Sequence, residues 1–139
     1  MKIMVSACLL GENCKYNGKN NYNQNVIDYM QGHDIFPVCP ECLGGLSTPR
    51  IPSEIVNGIV MMKDGTNVDE AFKKGATLAL QKAMDEKVDC MILQSRSPSC
   101  GVHEIYDGTF SGKKIKGMGV FARMAKENGF KIMDAEDIS

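Results

Sequence analysis

The chain of 139 residues has the length of one domain, and its 16 Lys and Arg residues against 17 Asp and Glu residues give a net charge of −1. This balance argues against the strongly basic surface that is typical of nucleic-acid binding. No apolar run reaches the roughly 18 residues that a membrane-spanning helix needs. The apolar stretch ahead of Cys8 is only Ile3–Val5, which is too short for a secretory signal. We therefore expect the protein in the cytoplasm, and from its length we expect residues 1–139 to form one domain.

The first third of the chain predicts two buried strands and a long loop. The strands are expected at Lys2–Ser6 and Asp34–Val38, with a polar loop and a short helix at Gln24–Gln31 between them. Five Pro and Gly residues interrupt Cys39–Ser53, which therefore predicts a long ordered loop. Loops of this length inside small domains usually carry function.

The rest of the chain alternates between hairpins, helices and strands. Asn57-Gly58 predicts a tight turn within an apolar hairpin at Ile55–Lys63. Apolar residues at steps of three and four, after a capping residue at Asn67, predict the longest helix at Val68–Lys87. A strand, a hairpin turning at Asp107-Gly108, a helix and a last strand follow at Cys90–Leu93, Glu104–Phe110, Met118–Asn128 and Lys131–Met133.

This order of elements predicts an α/β fold. We expect a single three-layer Rossmann-like domain, with a mostly parallel sheet of about four strands, right-handed crossovers and small added hairpins. Ligands of such sheets bind outside the carboxyl ends of the strands. Cys8, Cys39 and Cys100 lie in the loops after the first three parallel strands, so we expect them at the same edge of the sheet.

Six cysteines in a reducing compartment point to metal binding or thiol chemistry, and their spacing leaves several readings open. Thiolates favour zinc, copper(I) or iron–sulfur clusters. A zinc site would use Cys8, Cys14, Cys39 and Cys42, whereas a four-iron cluster held by three cysteines would leave one iron open. Cys39 and Cys42 also form the C-x-x-C spacing of a redox pair, but this pair enters a Pro/Gly loop rather than a helix.

Three segments carry a resemblance to a known family. The first reads SACLLG at Ser6–Gly11 and CKYNG at Cys14–Gly18; the second begins PVCPE at Pro37–Glu41 and runs on to Pro52; the third reads SRSPSCG at Ser95–Gly101. Together and in this order they resemble the thiouracil desulfidase family, known also as domain of unknown function family 523.

The resemblance implies a small α/β enzyme with a 4Fe-4S cluster held by Cys8, Cys39 and Cys100. One iron would have no protein ligand and would remain open. The implied reaction is a hydrolytic desulfuration without net redox change, in which a thiolated pyrimidine such as 2-thiouracil or a thiouridine yields the oxo base and sulfide. The expected partner is thus a small-molecule nucleobase or nucleoside, with no polymeric nucleic acid and no membrane.

Further residues near these cysteines are candidates for catalysis and substrate binding. Glu41 lies two residues after Cys39, where a carboxylate of raised pKa would act as general base and then acid. Ser97 is the candidate for a hydroxyl that orients substrate or water. Substrate contacts are predicted at Arg50, Arg96 and Ser99, whose alternative roles are bonding loop carbonyls and forming the turn around Pro98.

Overall fold

The computed structural model describes residues 1–138, which form a mixed α/β fold. The strands of the described chain lie at Lys2–Ser6 (β1), Asp34–Val38 (β2), Ser53–Val56 (β3), Ile59–Met62 (β4), Cys90–Leu93 (β5), Glu104–Tyr106 (β6), Lys114–Lys116 (β7) and Lys131–Asp134 (β8). The α-helices lie at Gln24–Tyr29 (α1), Pro40–Leu43 (α2), Asp69–Glu86 (α3) and Val120–Glu127 (α4), and short 3-10 helices lie at Ala7–Leu10 and Ala135–Asp137.

Four strands form the central sheet in the order β2-β1-β5-β8, and all three pairings are parallel. This confirms the predicted α/β class with a parallel four-stranded sheet and small antiparallel hairpins, which are β3–β4 and β6–β7. The chain runs from β1 outward to β2 and later returns to the other side of β1 at β5. The order therefore reverses between β1 and β5, which is where sheets of this type hold their ligands.

Helices cover both faces of the sheet because successive side chains of a strand point to opposite sides. Met4, Met91 and Leu93 pack with apolar residues of α3 and α4 on one face. Val5 and Ile92 pack with residues of α1 and the C-terminal 3-10 helix on the other face. The three layers hold β1 and β5 rigidly at the centre, so the loops that leave their carboxyl ends start from fixed positions.

The prediction of an uninterrupted loop over Cys39–Ser53 is wrong at its start. Pro40–Leu43 forms a single helical turn with Cys39 as its N-cap residue. Proline is favoured in the first turn of a helix, where no partner for its missing N–H is needed, and the acidic Glu41 suits the positive end of the helix. A single turn is too short to show the apolar periodicity by which longer helices are recognised.

The second hairpin is longer than its Asp107-Gly108 dipeptide predicts. Residues 104–106 pair with residues 114–116, so the connection spans residues 107–113 rather than two residues. Glu54 of β3 explains the longer loop, since its carboxylate accepts hydrogen bonds from the backbone N–H groups of Gly108 at 2.9 Å and Phe110 at 3.1 Å. The two hairpins are thereby tied to each other.

The capping box predicted around Asn67 also differs in detail. Val68 is the N-cap residue of α3, and the Asn67 side chain accepts a hydrogen bond from the N–H of Asp69 at 2.9 Å. The Asn67 side chain therefore still satisfies a free donor at the helix start. Within residues 1–138, no helix combines the length and apolar character that crossing a membrane requires.

Two glycines let α2 pack directly against α3. A Cβ atom at Gly75 of α3 would lie 1.8 Å from the carbonyl oxygen of Pro40, and one at Gly44 would lie 2.0 Å from that of Ala71. Neither separation is sterically possible, so both positions require glycine. This contact fixes the helical turn that follows Cys39 against the longest helix of the protein.

We predict that Gly75→Ala lowers the free energy of unfolding by about 1–3 kcal/mol, because the new methyl group forces the two helices apart. Alanine would otherwise favour the helix by about 1 kcal/mol. Urea unfolding measures the change, with Lys74→Ala at an exposed position of the same helix as the matched control. A Gly75→Ala protein as stable as the wild type would contradict the close contact.

Candidate active site

The loops that follow β1, β2 and β5 enclose one cavity of about 320 Å³. Cys8, Cys39 and Cys100 all line it, and each comes from a different loop. Cys8 belongs to the 3-10 helix after β1, Cys39 precedes α2, and Cys100 is buried at the end of the loop after β5. The structure thus brings together three thiols that are far apart in the sequence.

One of these three sulfurs has a hydrogen-bond donor beside it, since the side-chain amide of Asn21 donates to Cys8 Sγ at 3.4 Å. Against larger opposing effects, the backbone N–H of Cys42 acts to lower the pKa of Cys39, and the hydroxyl of Ser6 acts to lower that of Cys100. Donors of this kind stabilise thiolates, which are the form of cysteine that binds metals.

The pKa values of the three thiols differ because their surroundings differ. Contact with Cys14 lowers the pKa of Cys8, against the opposing effect of burial. Contact with Cys14 raises the pKa of Cys39, and burial raises it further. Burial raises the pKa of Cys100 to about 12, although the hydroxyls of Ser6 and Ser99 act in the other direction. A metal that binds here must therefore displace protons from Cys39 and Cys100.

Cys14 contacts both Cys8 and Cys39, and Cys42 contacts Cys39. Contact with Cys39 lowers the pKa of Cys14, whereas contact with Cys8 and burial raise it, to a net value of about 12. Among residues 1–138, no three His, Cys, Asp or Glu side chains converge closely enough to hold a single metal ion. A zinc ion draws its four ligands around one point at about 2.3 Å, so the zinc alternative stays a prediction that the metal content of the protein tests.

For the redox alternative, Cys39 and Cys42 lie at the start of a helix, but neither thiol has the lowered pKa that such a function needs. The pair Cys39 and Cys42 does begin a helix, contrary to the expectation from the sequence. In disulfide oxidoreductases the attacking thiol at such a position has a lowered pKa. Here the pKa values of both thiols are raised, that of Cys39 by Cys14 and burial and that of Cys42 by burial first. The structure does not favour a thiol redox function.

Glu41 lines the cavity beside these thiols and forms an ion pair with Arg50. Its Oε1 atom accepts hydrogen bonds from Arg50 Nε at 3.2 Å and from an Arg50 terminal nitrogen at 3.1 Å. Within the described chain, no hydrogen bond engages the second carboxylate oxygen of Glu41. Burial raises the pKa of Glu41, and the charge of Arg50 opposes this effect.

All five N–H donors of Arg50 form hydrogen bonds within the protein. Beyond the two bonds to Glu41, it donates to the carbonyl oxygens of Ser47 and Cys14 and to the hydroxyl of Thr48, at 3.0 to 3.1 Å. Its side chain is only 5% exposed. The guanidinium therefore ties the loop after α2 to the loop after β1 and has no donor left for a substrate, which favours the structural role that the sequence left open.

The other predicted site residues divide between the cavity and its surroundings. Ser97 lines the cavity, and its Oγ accepts hydrogen bonds from the backbone N–H groups of Ser99 at 3.1 Å and Cys100 at 3.0 Å. Arg96 also lines the cavity, but its guanidinium donates to both carboxylate oxygens of Glu136, at 2.8 and 2.7 Å. Ser99 is 1% exposed and is not one of the described residues that line the cavity, so the structure does not support it as a substrate contact.

Sequence reasoning missed several residues of the cavity wall, among them Asn21, Gln94, Tyr16 and Tyr106. They lie in polar loops or at the end of a three-residue strand, where no periodicity or motif of chemical meaning marks them. Tyr16 belongs to the CKYNG segment, which was the one available signal.

Comparison with known proteins identifies the family of the chain. The family model of 2-thiouracil desulfurase matches residues 3–137, which confirms the resemblance seen in the three segments. An uncharacterized protein, YbbK of Bacillus subtilis (strain 168), is 37% identical over 147 residues, covering 99% of this chain and 97% of that protein. A solved structure described as the 4Fe-4S-dependent thiouracil desulfidase TudS superposes with a TM-score of 0.93 at 34% identity, covering 99% of this chain and 92% of that one.

We predict that Arg50→Ala lowers the free energy of unfolding by about 3–5 kcal/mol, because it leaves the buried Glu41 carboxylate and two carbonyl groups without a partner. Arg50→Lys should recover only part of the loss, since one ammonium group cannot replace five planar donors. Thermal unfolding measures the effect, with the exposed Arg123→Ala as the control for removing one positive charge. Equal stability of the Arg50→Ala and Arg123→Ala proteins would contradict the structural role.

Proposed function

Because the chain belongs to the 2-thiouracil desulfurase family, we propose that it is a 4Fe-4S-dependent desulfidase that hydrolyses a thiolated pyrimidine to the oxo base and sulfide. The observation that carries the proposal is the meeting of Cys8, Cys39 and Cys100 at the carboxyl ends of three parallel strands. The high structural similarity to a 4Fe-4S-dependent thiouracil desulfidase supports it.

The same three cysteines are proposed to hold the cluster. They come from separate loops around one cavity, and the amide of Asn21 donates to the sulfur of Cys8, an arrangement suited to three thiolates held at the corners of a cluster. With three protein ligands for four irons, one iron would remain open. When bound, such a cluster supplies a soft Lewis acid, which prefers a sulfur-bearing group to an oxygen-bearing one.

The reaction exchanges one atom on a pyrimidine carbon. Water adds its oxygen to the thiocarbonyl carbon, the carbon–sulfur bond breaks, and the sulfur leaves as sulfide with the same oxidation state that it had. Glu41 would take the proton from the attacking water and return it to the departing sulfur. Arg50 holds one of its carboxylate oxygens, which leaves the other for the water.

Ser97 would position the substrate or the water. Its Oγ already accepts two backbone hydrogen bonds, so the hydroxyl hydrogen remains to be donated to a group in the cavity. Because those two bonds fix the position of Oγ, the donor is preorganised, and catalysis gains most from groups of this kind.

The cavity wall suits a thiolated nucleobase or nucleoside. Tyr16 and Tyr106 offer aromatic faces, and the side-chain amides of Asn21 and Gln94 offer both donors and acceptors. These are the groups that stack on a pyrimidine ring and match its ring N–H and carbonyl edges. The predicted contacts from Arg50, Arg96 and Ser99 are not part of this proposal, because their polar groups are bonded elsewhere or buried.

We predict that the protein reconstituted with iron and sulfide without air binds about four irons per chain and turns brown. It should then release sulfide when incubated with 2-thiouracil or 4-thiouridine. Iron content, visible absorption and sulfide release measure the three properties. Ser substitutions of Cys8, Cys39 and Cys100 should each abolish cluster binding.

Cys42→Ser provides the matched control, since this exposed thiol is adjacent to the site but is not a proposed ligand. The variant should bind the cluster and release sulfide like the wild type. Loss of activity on Cys42→Ser with Cys100→Ser tolerated would favour the redox alternative. A colourless protein with one zinc per chain, even after reconstitution, would contradict the proposed cofactor.

A separate prediction concerns Glu41. Glu41→Gln should bind the cluster but lose turnover by about 10²–10⁴-fold, the usual contribution of a general base. The amide oxygen of Gln can still accept both hydrogen bonds from Arg50, so the loop should keep its structure. Single-turnover sulfide release measures the loss, and the exposed Glu12→Gln serves as the control. Turnover of the Glu41→Gln protein at the wild-type rate would show that another group is the base.

A further inference from the structure

The hydroxyl of Ser99 is buried without a partner. The residue is 1% exposed, and within residues 1–138 its Oγ is the one fully buried side-chain oxygen or nitrogen that forms no hydrogen bond. Buried polar groups are almost always paired, because an unpaired one loses its hydration for nothing in return. The structure therefore calls for an acceptor that is present in the working protein.

The backbone of Ser99 is also held in place. Its N–H donates to Ser97 Oγ at 3.1 Å, and its carbonyl oxygen accepts hydrogen bonds from Phe121 at 2.8 Å and Ala122 at 3.0 Å. A Cβ atom at Gly119 would lie 2.5 Å from the same carbonyl group, so the start of α4 packs directly on this peptide. The peptide of Ser99, which directly precedes Cys100, is thereby held in place.

Cys100 changes its hydrogen-bonding capacity when it binds metal. A neutral thiol is a weak acceptor, whereas the thiolate that ligates a metal is a strong one. The Ser99 hydroxyl is close enough to the Cys100 sulfur to act on the pKa of that thiol, but its Oγ forms no hydrogen bond in the structure. Metal binding at Cys100 thus creates the acceptor that the hydroxyl lacks.

We propose that Ser99 donates a hydrogen bond to the metal-bound thiolate of Cys100 and thereby raises the reduction potential of the cluster. The inference rests on the proposed function, since it needs Cys100 as a cluster ligand. Hydrogen bonds to the sulfurs withdraw negative charge and stabilise the reduced state. Ser99 is in this sense a positioning residue, which acts on the cluster through Cys100 and replaces the substrate contact predicted at this position.

Ser95 of the same loop offers a matched comparison. It is 7% exposed, but its hydroxyl donates to the buried carboxylate of Asp134. The two serines are therefore similar in burial and in loop, and they differ in whether the metal-free protein satisfies the hydroxyl. Their alanine variants should therefore differ in the direction in which the melting temperature of the metal-free protein changes.

The experiment measures the melting temperature of the metal-free protein and the midpoint potential of the reconstituted cluster for Ser99→Ala and Ser95→Ala. For Ser99→Ala we expect an unchanged or higher melting temperature, because an unpaired polar group is removed, and a more negative midpoint potential. For Ser95→Ala we expect a lower melting temperature, because the Asp134 carboxylate loses the hydroxyl donor and keeps the N–H of Glu136.

Two results would overturn the inference while the proposed function stands: a midpoint potential of Ser99→Ala equal to or above that of the wild type, or a loss of metal-free stability like that of Ser95→Ala. The second would show a structural role for the hydroxyl. A wild-type protein that assembles no cluster removes the proposed function and this inference together. Iron content of the wild type, measured first, separates the two failures.

Discussion

Parallel pairing of β1 with β2 on one side and β5 on the other is the constraint from which the site follows. It directs three chain segments to the same edge of the sheet, where Cys39, Cys8 and Cys100 follow the last strand residue by one, two and seven positions. Both central strands are buried between helical layers, so the starting points of the loops are rigid. Metal sites depend on such rigidity, because small shifts of a ligand cost affinity and selectivity.

Around this edge the chain places a second set of interactions that orient the loops. Arg50 joins two of them through five hydrogen bonds, and close packing at Gly44 and Gly75 fixes the turn that follows Cys39. Cys100 lies in the loop after β5, and the hydroxyls of Ser6 and Ser99 act on its sulfur. Contacts within the protein therefore hold the ion pair of Glu41 and Arg50 in place beside the three sulfurs.

Much of this arrangement could be predicted from the sequence, for identifiable reasons. The strands at Lys2–Ser6, Asp34–Val38 and Cys90–Leu93 contain the apolar runs Ile3–Val5, Ile35–Val38 and Cys90–Leu93, and parallel order follows from the helices between them. What escaped prediction depends on contacts between distant segments. The helical turn at Pro40–Leu43 is too short for a periodic pattern, and the burial of Ser99 results from the packing of α4 on its peptide. The catalytic and ligand roles remain predictions that the geometry supports.

The tie between the two small hairpins has a consequence for the evolution of selectivity. Glu54 links β3 to the loop after β6, while Pro52, Ser53 and Tyr106 from the same hairpins form part of the cavity wall. This part of the wall is joined to the loop that carries Cys100 through the bridge between Arg96 and Ile105. Substitutions in the wall would change the size and polarity of the molecules that the cavity admits, and that bridge would carry part of the change to the loop of Cys100.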